Sequence, residues 1–266
     1  MRDYLIEFKR EMKNRNYARN TIRTYSAHIG RFLIFSRESE YDPYKRISIF
    51  LEEVISTPEQ RRLAWSAIKL FYEIVLKKDC PYKLDRVKNR KRLPDILTKD
   101  EVLEILNVIT NEKHRLIITF LYASGLRVSE VVNLKIKDLN FSSLSVKIRN
   151  TKGHKDRITL LSEKSVEDIK KLIEGRDGND YIFLTLYNKK YTIRTVQMIF
   201  SNALKKTNLQ KKPTCHTLRH CFATHLVEAG TDIKSVKTLL GHKSVKTTMV
   251  YVNLADPVSK RIRSPL

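Results

Sequence analysis

The chain has 266 residues and a formal net charge of +23, from 52 Lys and Arg against 29 Asp and Glu. This excess favours a polyanionic partner, with nucleic acid as the leading candidate and a solubilising lysine-rich surface as the alternative. Three irregularly spaced cysteines make no disulfide framework, and the longest apolar run, residues 116–123, is far shorter than the roughly 20 residues of a membrane span. Composition therefore argues against a secreted or membrane protein and predicts a soluble, cytoplasmic one.

Residues 1–80 are predicted to form a small helical bundle. Apolar residues recur there at helical spacing, and residues 57–60, Thr-Pro-Glu-Gln, are typical of a helix start. Residues 81–94 then carry six basic side chains against one acid, Asp85. We predict that they form a basic linker, which is either a solvated connection or a strap along a phosphate backbone.

Residues 95–252 form the second predicted unit. It begins with a helix start at Thr98, and further helices follow. Apolar residues then alternate with polar ones over 144–148 and 158–160, which predicts a β-hairpin with a basic tip. Residues 181–184 are a candidate for a further strand. The predicted fold class is therefore mainly α with a small antiparallel β-sheet (α+β).

The stretch from Pro213 to Val252 is the richest in candidate site residues. A helix is predicted to begin near Pro213, and its apolar stripe leaves cationic side chains on another face. A turn and a later helix add further polar side chains, and the spacing predicts that the set converges on one anion. Its members are His216 and Arg219 with the neighbouring His220 on the helix face, His242 in the turn and Tyr251 on the later helix.

Each of these residues alone has a more ordinary interpretation. A tyrosine is most often a packing residue, and a turn histidine is most often structural. His216 and His220 also have the i, i+4 spacing of a zinc-protease helix, but Thr217 stands where that chemistry needs glutamate. We therefore predict no metal site and no cofactor, and we interpret His220 and His225 as structural or supporting residues.

Five short strings occur in the order and at the spacings of one family. They are Ser124-Gly125-Leu126-Arg127-Val128-Ser129-Glu130, Thr151-Lys152-Gly153, His216-Thr217-Leu218-Arg219-His220, Leu240-Gly241-His242 and Tyr251. Each string alone is weak evidence, but the set, spread over residues 95–252, resembles the tyrosine recombinase (phage integrase) family. Residues 1–80 are similar to the core-binding domain of that family. In size and layout the chain is most like the Xer-type recombinases that resolve chromosome dimers.

The resemblance implies cleavage of a DNA phosphodiester without a metal ion. That reaction needs a nucleophile, cationic stabilisation of the pentacoordinate phosphorane and a proton for the leaving oxygen. By resemblance, Tyr251 attacks the phosphate and forms a 3′-phosphotyrosyl bond, and Lys152 protonates the leaving 5′ oxygen. The remaining implied roles are a phosphate clamp from Arg127 and Arg219, an acid/base partner of the tyrosine in His216, a phosphate hydrogen bond from His242 and orientation by Glu130.

The resemblance also implies partners. They are a double-stranded DNA recombination site and a homotetramer on two such sites, formed from free monomers or dimers and associated with the nucleoid in the cytoplasm. No membrane partner is expected. The basic C-terminal tail, residues 253–266, is expected to dock on a neighbouring protomer. Whether a second recombinase, a DNA translocase or an accessory protein controls the reaction stays open.

Three other functions stay open beside the Xer-type one. An integrase of a mobile element has the same catalytic half, although the short N-terminal region favours the Xer type. A type IB topoisomerase shares the tyrosine chemistry, but the strings around Arg127 and Lys152 favour a recombinase. A non-catalytic DNA-binding protein would suit the charge and the helices, yet it would have no need of six chemically competent residues.

Overall fold

The computed structural model describes residues 2–37, 39–84, 95–149, 156–242 and 244–254. The chain divides into two compact units, Met1–Arg90 and Lys91–Leu266, and each has a hydrophobic core of its own. Three predicted features lie wholly or mostly outside the described residues: the basic linker, the tip of the hairpin with Lys152, and the C-terminal tail.

In its described residues the first unit is a bundle of four α-helices. They are α1 (Arg2–Asn14), α2 (Arg19–Arg37), α3 (Pro43–Ile49) and α4 (Pro58–Phe71). The last two each continue into one wider π-helical turn, over Phe50–Val54 and Tyr72–Leu76. Helix α4 begins where the sequence predicts, because the Thr57 hydroxyl accepts a hydrogen bond from the Gln60 backbone N–H at 3.3 Å.

The apolar faces of these helices close over one core. Helix α2 packs against both α1 and α4, and the rings of Phe32 and Phe50 meet edge to face with their centroids 5.3 Å apart. The larger buried side chains are Phe8, Met12, Ile29, Phe32, Ile47, Phe50, Ile68 and Phe71. Most of the apolar positions in the predicted stripes thus face this core, but Ile6 and Leu63 are 62% and 37% exposed. None of the described helices is long and apolar enough to cross a membrane.

The second unit is also mainly helical. Its helices are α5 (Lys99–Asn107), α6 (Glu112–Ala123), α7 (Val128–Val131), α8 (Val166–Ile173), α9 (Ile193–Leu204), α10 (Cys215–Glu228), α11 (Ile233–Leu240) and α12 (Val245–Leu254). Its strands are β1 (Leu139–Asn140), β2 (Ser145–Ile148) and β3 (Arg157–Leu160), joined antiparallel in the order β1-β2-β3. The predicted fold class, mainly α with a small antiparallel sheet, is confirmed.

The hairpin strands are present, but β3 faces the opposite way from a usual amphipathic strand. Ile148 pairs with Arg157 in the register expected of a hairpin. Arg157 and Thr159 are buried, whereas Ile158 and Leu160 are 60% and 42% exposed. The inner face of the strand can be polar because both buried side chains find hydrogen-bond acceptors there.

The candidate strand at residues 181–184 is a wrong prediction. Isolated bridges join Lys135 to Tyr181 and Leu184 to Lys190, and no ladder extends from them in the described structure. The Ile182 N–H donates to the Leu134 carbonyl at 2.9 Å. The partner segment then turns into a short 3₁₀ helix at residues 136–138, so the pairing cannot continue.

Helix α10 is the element that the site is built around. It packs against α6, α11 and α12, and α11 also packs against β3. Gly125, in the turn between α6 and α7, has a φ of +61°, and a Cβ there would lie 2.3 Å from the Phe222 ring of α10. Any other residue here would have to move the Phe222 ring and adopt the left-handed backbone that glycine favours, so the turn is suited to glycine.

Candidate active site

Arg127 stands at the start of α7, directly after the glycine turn. Glu130 accepts a hydrogen bond from the Arg127 backbone N–H at 2.8 Å and another from its Nη1, also at 2.8 Å. The backbone contact is the acidic half of a capping box, which fixes where the helix begins. The Arg127 side chain remains 41% exposed, more than that of Arg157 or Arg219.

Glu130 lies among three guanidinium groups. Arg157 donates from Nη1 to Oε1 and from Nη2 to Oε2, each at 2.7 Å, and Arg219 Nη1 lies 3.8 Å from Oε2. Burial acts to raise the pKa of Glu130, but the hydrogen bonds and charge of Arg157, together with Arg127 and Arg219, lower it to about 2. Glu130 is therefore a carboxylate at neutral pH, and two positive charges of the cluster stay uncompensated by it.

Arg219 is the most deeply buried charged group of the site, with a side chain only 1% exposed. Its Nη1 donates to the Gly125 carbonyl at 2.6 Å and its Nη2 to the Leu240 carbonyl at 2.5 Å. Burial, followed by the charge of Arg127, lowers the pKa of Arg219 to about 10. The group is still a cation at neutral pH, and it joins the glycine turn to the C-terminal end of α11, where helix carbonyls favour positive charge.

Tyr251 lies on α12 and is 3% exposed. Its hydroxyl is 3.1 Å from His220 Nδ1, and the His242 ring stacks on the tyrosine ring with centroids 6.1 Å apart and planes at 21°. Burial raises the pKa of the Tyr251 phenol, while the charges of Arg219 and Arg127 act in the opposite direction. The phenol is thus buried beside cations that would stabilise its deprotonated form.

The histidines of the site are neutral at neutral pH. Burial, then the charges of His216 and Arg219, lower the pKa of His220 to about 4. Burial, then the charges of Arg219 and other nearby cations, lower the pKa of His242 to about 4 as well. A neutral imidazole has one acceptor and one donor nitrogen. His220 can therefore accept the Tyr251 proton. Thr248 Oγ1 is 3.0 Å from His242 Nδ1, and this hydrogen bond can fix the tautomer of His242.

The predicted site residues that the structure describes do lie together. Arg127 and Arg219 both lie against Glu130. The His242 ring stacks on Tyr251, and the His216 ring contacts His220, which binds the Tyr251 hydroxyl. Lys152 lies outside the described residues. In sequence, Lys152 lies between the end of β2 and the start of β3. These strand ends lie beside the cluster, because Arg157 pairs with Ile148 and binds Glu130.

Two residues of the site were given no role in the chemistry from the sequence. His220 was interpreted as structural or supporting, yet it makes the hydrogen bond to the Tyr251 hydroxyl, whereas His216 lies edge-on against the His220 ring at 4.6 Å between centroids. Arg157 was not singled out at all. A signal for it exists, since an arginine alternates with the apolar Ile158 at the start of a short strand, but alternation does not tell which face is buried.

Metal ligands do not gather in the part of the chain that the structure describes, where no group of three or more His, Cys, Asp or Glu side chains could hold an ion. The nearest approach is the pair His216 and His220, whose rings contact each other. Their partners are aromatic and cationic groups. The chemistry available to the described side chains is therefore cationic anion binding and proton transfer at a phenol.

Comparisons with known proteins agree with this arrangement. The phage integrase family model matches residues 95–257. Tyrosine recombinase XerA of Pyrococcus horikoshii is 35% identical over 260 residues, which cover 95% of this chain and 89% of that protein. Tyrosine recombinase XerC of Leptospira interrogans is 30% identical, over 93% of this chain and 87% of its own length.

Solved structures give the same result. A crystal structure of XerA recombinase aligns with a TM-score of 0.58 at 29% identity, over 99% of both chains. A lambda integrase tetramer bound to a Holliday junction aligns with a TM-score of 0.79, over 99% of this chain and 78% of that one, and at 20% identity it supports the fold alone. The resemblance that the sequence motifs suggested is confirmed, and the chain belongs to the phage integrase family of tyrosine recombinases.

Proposed function

We propose that this protein is a site-specific recombinase that cleaves and rejoins double-stranded DNA through a 3′-phosphotyrosyl intermediate. One observation carries the proposal: the buried Tyr251 hydroxyl is hydrogen-bonded to a neutral His220 beside the guanidinium groups of Arg219 and Arg127. A phenol in these surroundings has a proton acceptor and cations for the phosphate that it attacks.

In the proposed reaction, the Tyr251 oxygen attacks the scissile phosphorus and its proton passes to His220. His216, in contact with the His220 ring, is the second group of this acid/base pair. The phosphorus–O5′ bond breaks, and Lys152 gives its proton to the departing 5′ oxygen. The bond formed to the tyrosine keeps the energy of the bond broken, so the 5′ hydroxyl of a second strand can reverse the step.

The phosphoryl group carries negative charge on its non-bridging oxygens as it is transferred to Tyr251. Arg127 is the cation with exposed surface, and we assign it the direct contact with one of those oxygens. Arg219 adds a fixed positive charge from a buried position. His242 donates a hydrogen bond to the phosphate, with its tautomer set through Thr248, and Glu130 holds Arg127 in position.

The cellular role that we propose is the resolution of chromosome or plasmid dimers by a homotetramer on two DNA sites in the cytoplasm. Its support is the near full-length similarity to proteins named XerA and XerC. In this role, residues 1–80 form the core-binding domain, residues 95–252 the catalytic domain and residues 253–266 a tail that docks on a neighbouring protomer. The tetramer follows a structural relative, the lambda integrase tetramer bound to a Holliday junction.

An integrase of a mobile element is the second candidate. A putative integrase/recombinase of Sinorhizobium fredii is 32% identical over 92% of this chain and 82% of its own length. The Tn1549 transposon integrase in complex with circular intermediate DNA aligns with a TM-score of 0.74 at 21% identity. The DNA site at which the protein cleaves separates the two roles, because a dimer-resolution site is chromosomal or plasmid-borne and an integrase site lies at an element's end.

Covalent trapping tests the proposed chemistry. The protein is incubated with supercoiled DNA from its own genome in the presence of EDTA, quenched with detergent and assayed for protein-bound DNA. We expect an adduct that maps to one site and that Tyr251→Phe abolishes. The matched control is Tyr122→Phe, which removes another hydroxyl bound to a histidine of α10, at 2.8 Å from His225 Nδ1, and should leave the adduct intact.

Three results would count against parts of the proposal. Adduct formation by Tyr251→Phe would remove Tyr251 as the nucleophile. Adducts scattered over all sequences, with relaxation of any plasmid, would indicate a topoisomerase. Tight, salt-sensitive binding with no adduct from the wild-type protein would indicate a non-catalytic DNA-binding protein.

A further inference from the structure

Arg157 is a nearly buried arginine whose three kinds of donor nitrogen all have acceptors. It is the first residue of β3, and its side chain is 6% exposed. Nη1 and Nη2 make two parallel hydrogen bonds of 2.7 Å to the carboxylate of Glu130. Nε donates to the Leu239 carbonyl at 2.9 Å. This is the fork-to-fork geometry that an arginine forms with a carboxylate and a lysine cannot.

These contacts join three segments that each carry a proposed catalytic residue. Glu130 holds Arg127 at the start of α7. Leu239 lies at the end of α11, three residues before His242. In sequence, β3 follows directly on the segment that contains Lys152. One side chain therefore links the phosphate clamp, the histidine turn and the base of the lysine hairpin.

The end of α11 is shaped around this arginine. Gly241 closes the helix with a φ of +66°, and a Cβ at that position would lie 2.7 Å from Arg157 Cδ. The close approach involves the arginine stem, and the left-handed backbone separately favours glycine. The helix end thus leaves room for Arg157 on the side from which it reaches Glu130.

We propose that Arg157 is a positioning residue for strand cleavage, which holds Glu130 and through it Arg127 in register with the turn that carries His242. The inference rests on the proposed function. Stability alone does not explain such a pair, because replacing a buried ion pair by apolar groups of similar volume is often neutral or stabilising. A directional fork is needed where the position of a neighbouring cation has to be fixed.

The first test compares Arg157, the first residue of β3, with Arg149, the residue directly after β2. Arg157→Lys keeps the charge and loses the fork. The control is Arg149→Lys directly after β2, where Arg149 Nε binds Asp138 Oδ1 at 2.6 Å but the arginine side chain is half exposed. On the DNA that gives the covalent adduct, we expect Arg157→Lys to cleave on the order of 100-fold more slowly. DNA affinity and the midpoint of unfolding should stay close to those of the wild type, and Arg149→Lys should cleave within about twofold of the wild type.

The second test is a pH profile, which a merely structural role would not alter. The charged groups facing Glu130 are Arg127 from α7, Arg157 from β3 and Arg219 from α10. Arg157→Met removes the group that lowers the pKa of Glu130 most, so that pKa should rise from about 2. We expect its residual cleavage to fall further below that of the wild type as the pH is lowered from 7 to about 5. Arg157→Met/Glu130→Gln should lose this added acid limb, since its amide does not titrate.

The outcomes separate the inference from the proposed function. Absence of a Tyr251-dependent adduct from the wild-type protein overturns the proposed function and the reaction that Arg157 would serve. An active wild-type protein with Arg157→Lys as fast as Arg149→Lys overturns only the inference, as does a loss of DNA affinity that accounts for the slower cleavage. If the single variants unfold, Arg157→Met/Glu130→Gln decides, because it removes both charges of the buried pair together; wild-type cleavage by that protein would refute the positioning role.

Discussion

Two tyrosine–histidine pairs are attached to helix α10, and they differ in what surrounds them. The Tyr251 hydroxyl lies 3.1 Å from His220 Nδ1, and the Tyr122 hydroxyl lies 2.8 Å from His225 Nδ1. In both pairs the rings are within 6 Å of each other, with centroids 5.6 and 5.8 Å apart. Hydrogen-bond geometry alone therefore does not distinguish a nucleophile from a structural tyrosine.

The charges around the two phenols do distinguish them. Burial raises the pKa of Tyr122 to about 12, and the neighbouring Cys221 and Glu228 act in the same direction. Burial also raises the pKa of Tyr251, but Arg219 and Arg127 oppose it. A phenolate, or a phosphate ester on that oxygen, is favoured only beside the arginines.

The two histidines differ in the same way. His225 Nε2 donates to the Leu97 carbonyl at 3.0 Å, so Nδ1 is the acceptor for Tyr122 and both nitrogens are fixed. The pair ties α6 and α10 to the backbone that precedes α5. His220 has no second hydrogen bond of this kind to the described backbone, and its ring lies against His216 instead. The histidine of the Tyr122 pair is fixed by a backbone carbonyl, whereas the histidine of the Tyr251 pair contacts another titratable group, His216.

The largest effect is expected from removing an arginine beside the Tyr251–His220 pair. We predict that Arg127→Gln lowers the rate of adduct formation by about 100- to 1,000-fold, the usual cost of one donor to a developing oxyanion. Glu228→Gln, which removes a charge beside the Tyr122 pair, should leave the rate within about twofold. Single-turnover cleavage measures both. Equal rates for the two variants would mean that the arginine charge does not govern the reactivity of Tyr251.

Replacing each of the two histidines by phenylalanine should separate an effect on activity from an effect on stability. His220→Phe is expected to slow adduct formation by up to about 100-fold, because Tyr251 loses the contact that orients its hydroxyl. It should lower the unfolding free energy by less than His225→Phe, because it breaks one side-chain hydrogen bond whereas His225→Phe breaks two. His225→Phe leaves the Leu97 carbonyl unpaired and should lower the unfolding free energy by about 1–3 kcal/mol. Urea unfolding and cleavage by the folded fraction are the measurements. A large loss of activity in His225→Phe with a large loss of stability in His220→Phe would contradict the comparison.

Sequence alone predicted the residues of the site better than it predicted their contacts. Motif order pointed to Arg127, Glu130, Arg219, His242 and Tyr251, whose order and spacing follow the family's pattern, and the structure places these residues around one site. Local periodicity predicted the hairpin and most of the helices, though not α8, for the same reason that it predicts any amphipathic element. Neither signal specifies which of two histidines on one helix face reaches a tyrosine 31 residues away, as His220 does.

The case of β3 shows where the pattern failed. A two-residue period is satisfied whichever face is buried, and the usual assumption places apolar residues inside. Here Arg157 and Thr159 are inside, since Glu130 and the Ser124 carbonyl accept their hydrogen bonds. Long-range acceptors of this kind are absent from any local window, so the exposed Ile158 and the buried Arg157 could be assigned only from the structure.

The lowered pKa values of the two histidines beside Tyr251 should also affect the pH dependence of stability. The pKa values of His220 and His242 are lowered to about 4 in the folded protein, against about 6.5 in an unfolded chain. Between these values the unfolded state binds more protons, so the unfolding free energy should fall as the pH is lowered from 6.5 to 4, by up to about 1.4 kcal/mol per pH unit and per group. The groups that face these imidazoles are the guanidinium groups of the site, His216, Tyr251 and Thr248.

His220→Phe makes this slope assignable. It removes one of the two titrations, so its stability should depend less steeply on pH over the same range, while His225→Phe should retain the contribution of His220. Thermal unfolding at half-unit pH steps gives the slopes. Parallel curves for His220→Phe and the wild type would show that His220 is protonated in the folded protein over this range.

The smallest expected effect concerns the tautomer of His242. Thr248 is fully buried, with its Oγ1 3.0 Å from His242 Nδ1, and Thr248→Val keeps the shape while removing the hydroxyl. Loss of one neutral hydrogen bond, about 1 kcal/mol, corresponds to roughly a fivefold slower cleavage if it is felt in the transition state. The control is Thr224→Val on α10, a buried hydroxyl that has no hydrogen-bond partner among the described residues and whose loss should not slow cleavage. Equal rates for the two variants would mean that the hydrogen bond from Thr248 does not prepare His242 for the phosphate, and that stacking on Tyr251 alone holds its ring.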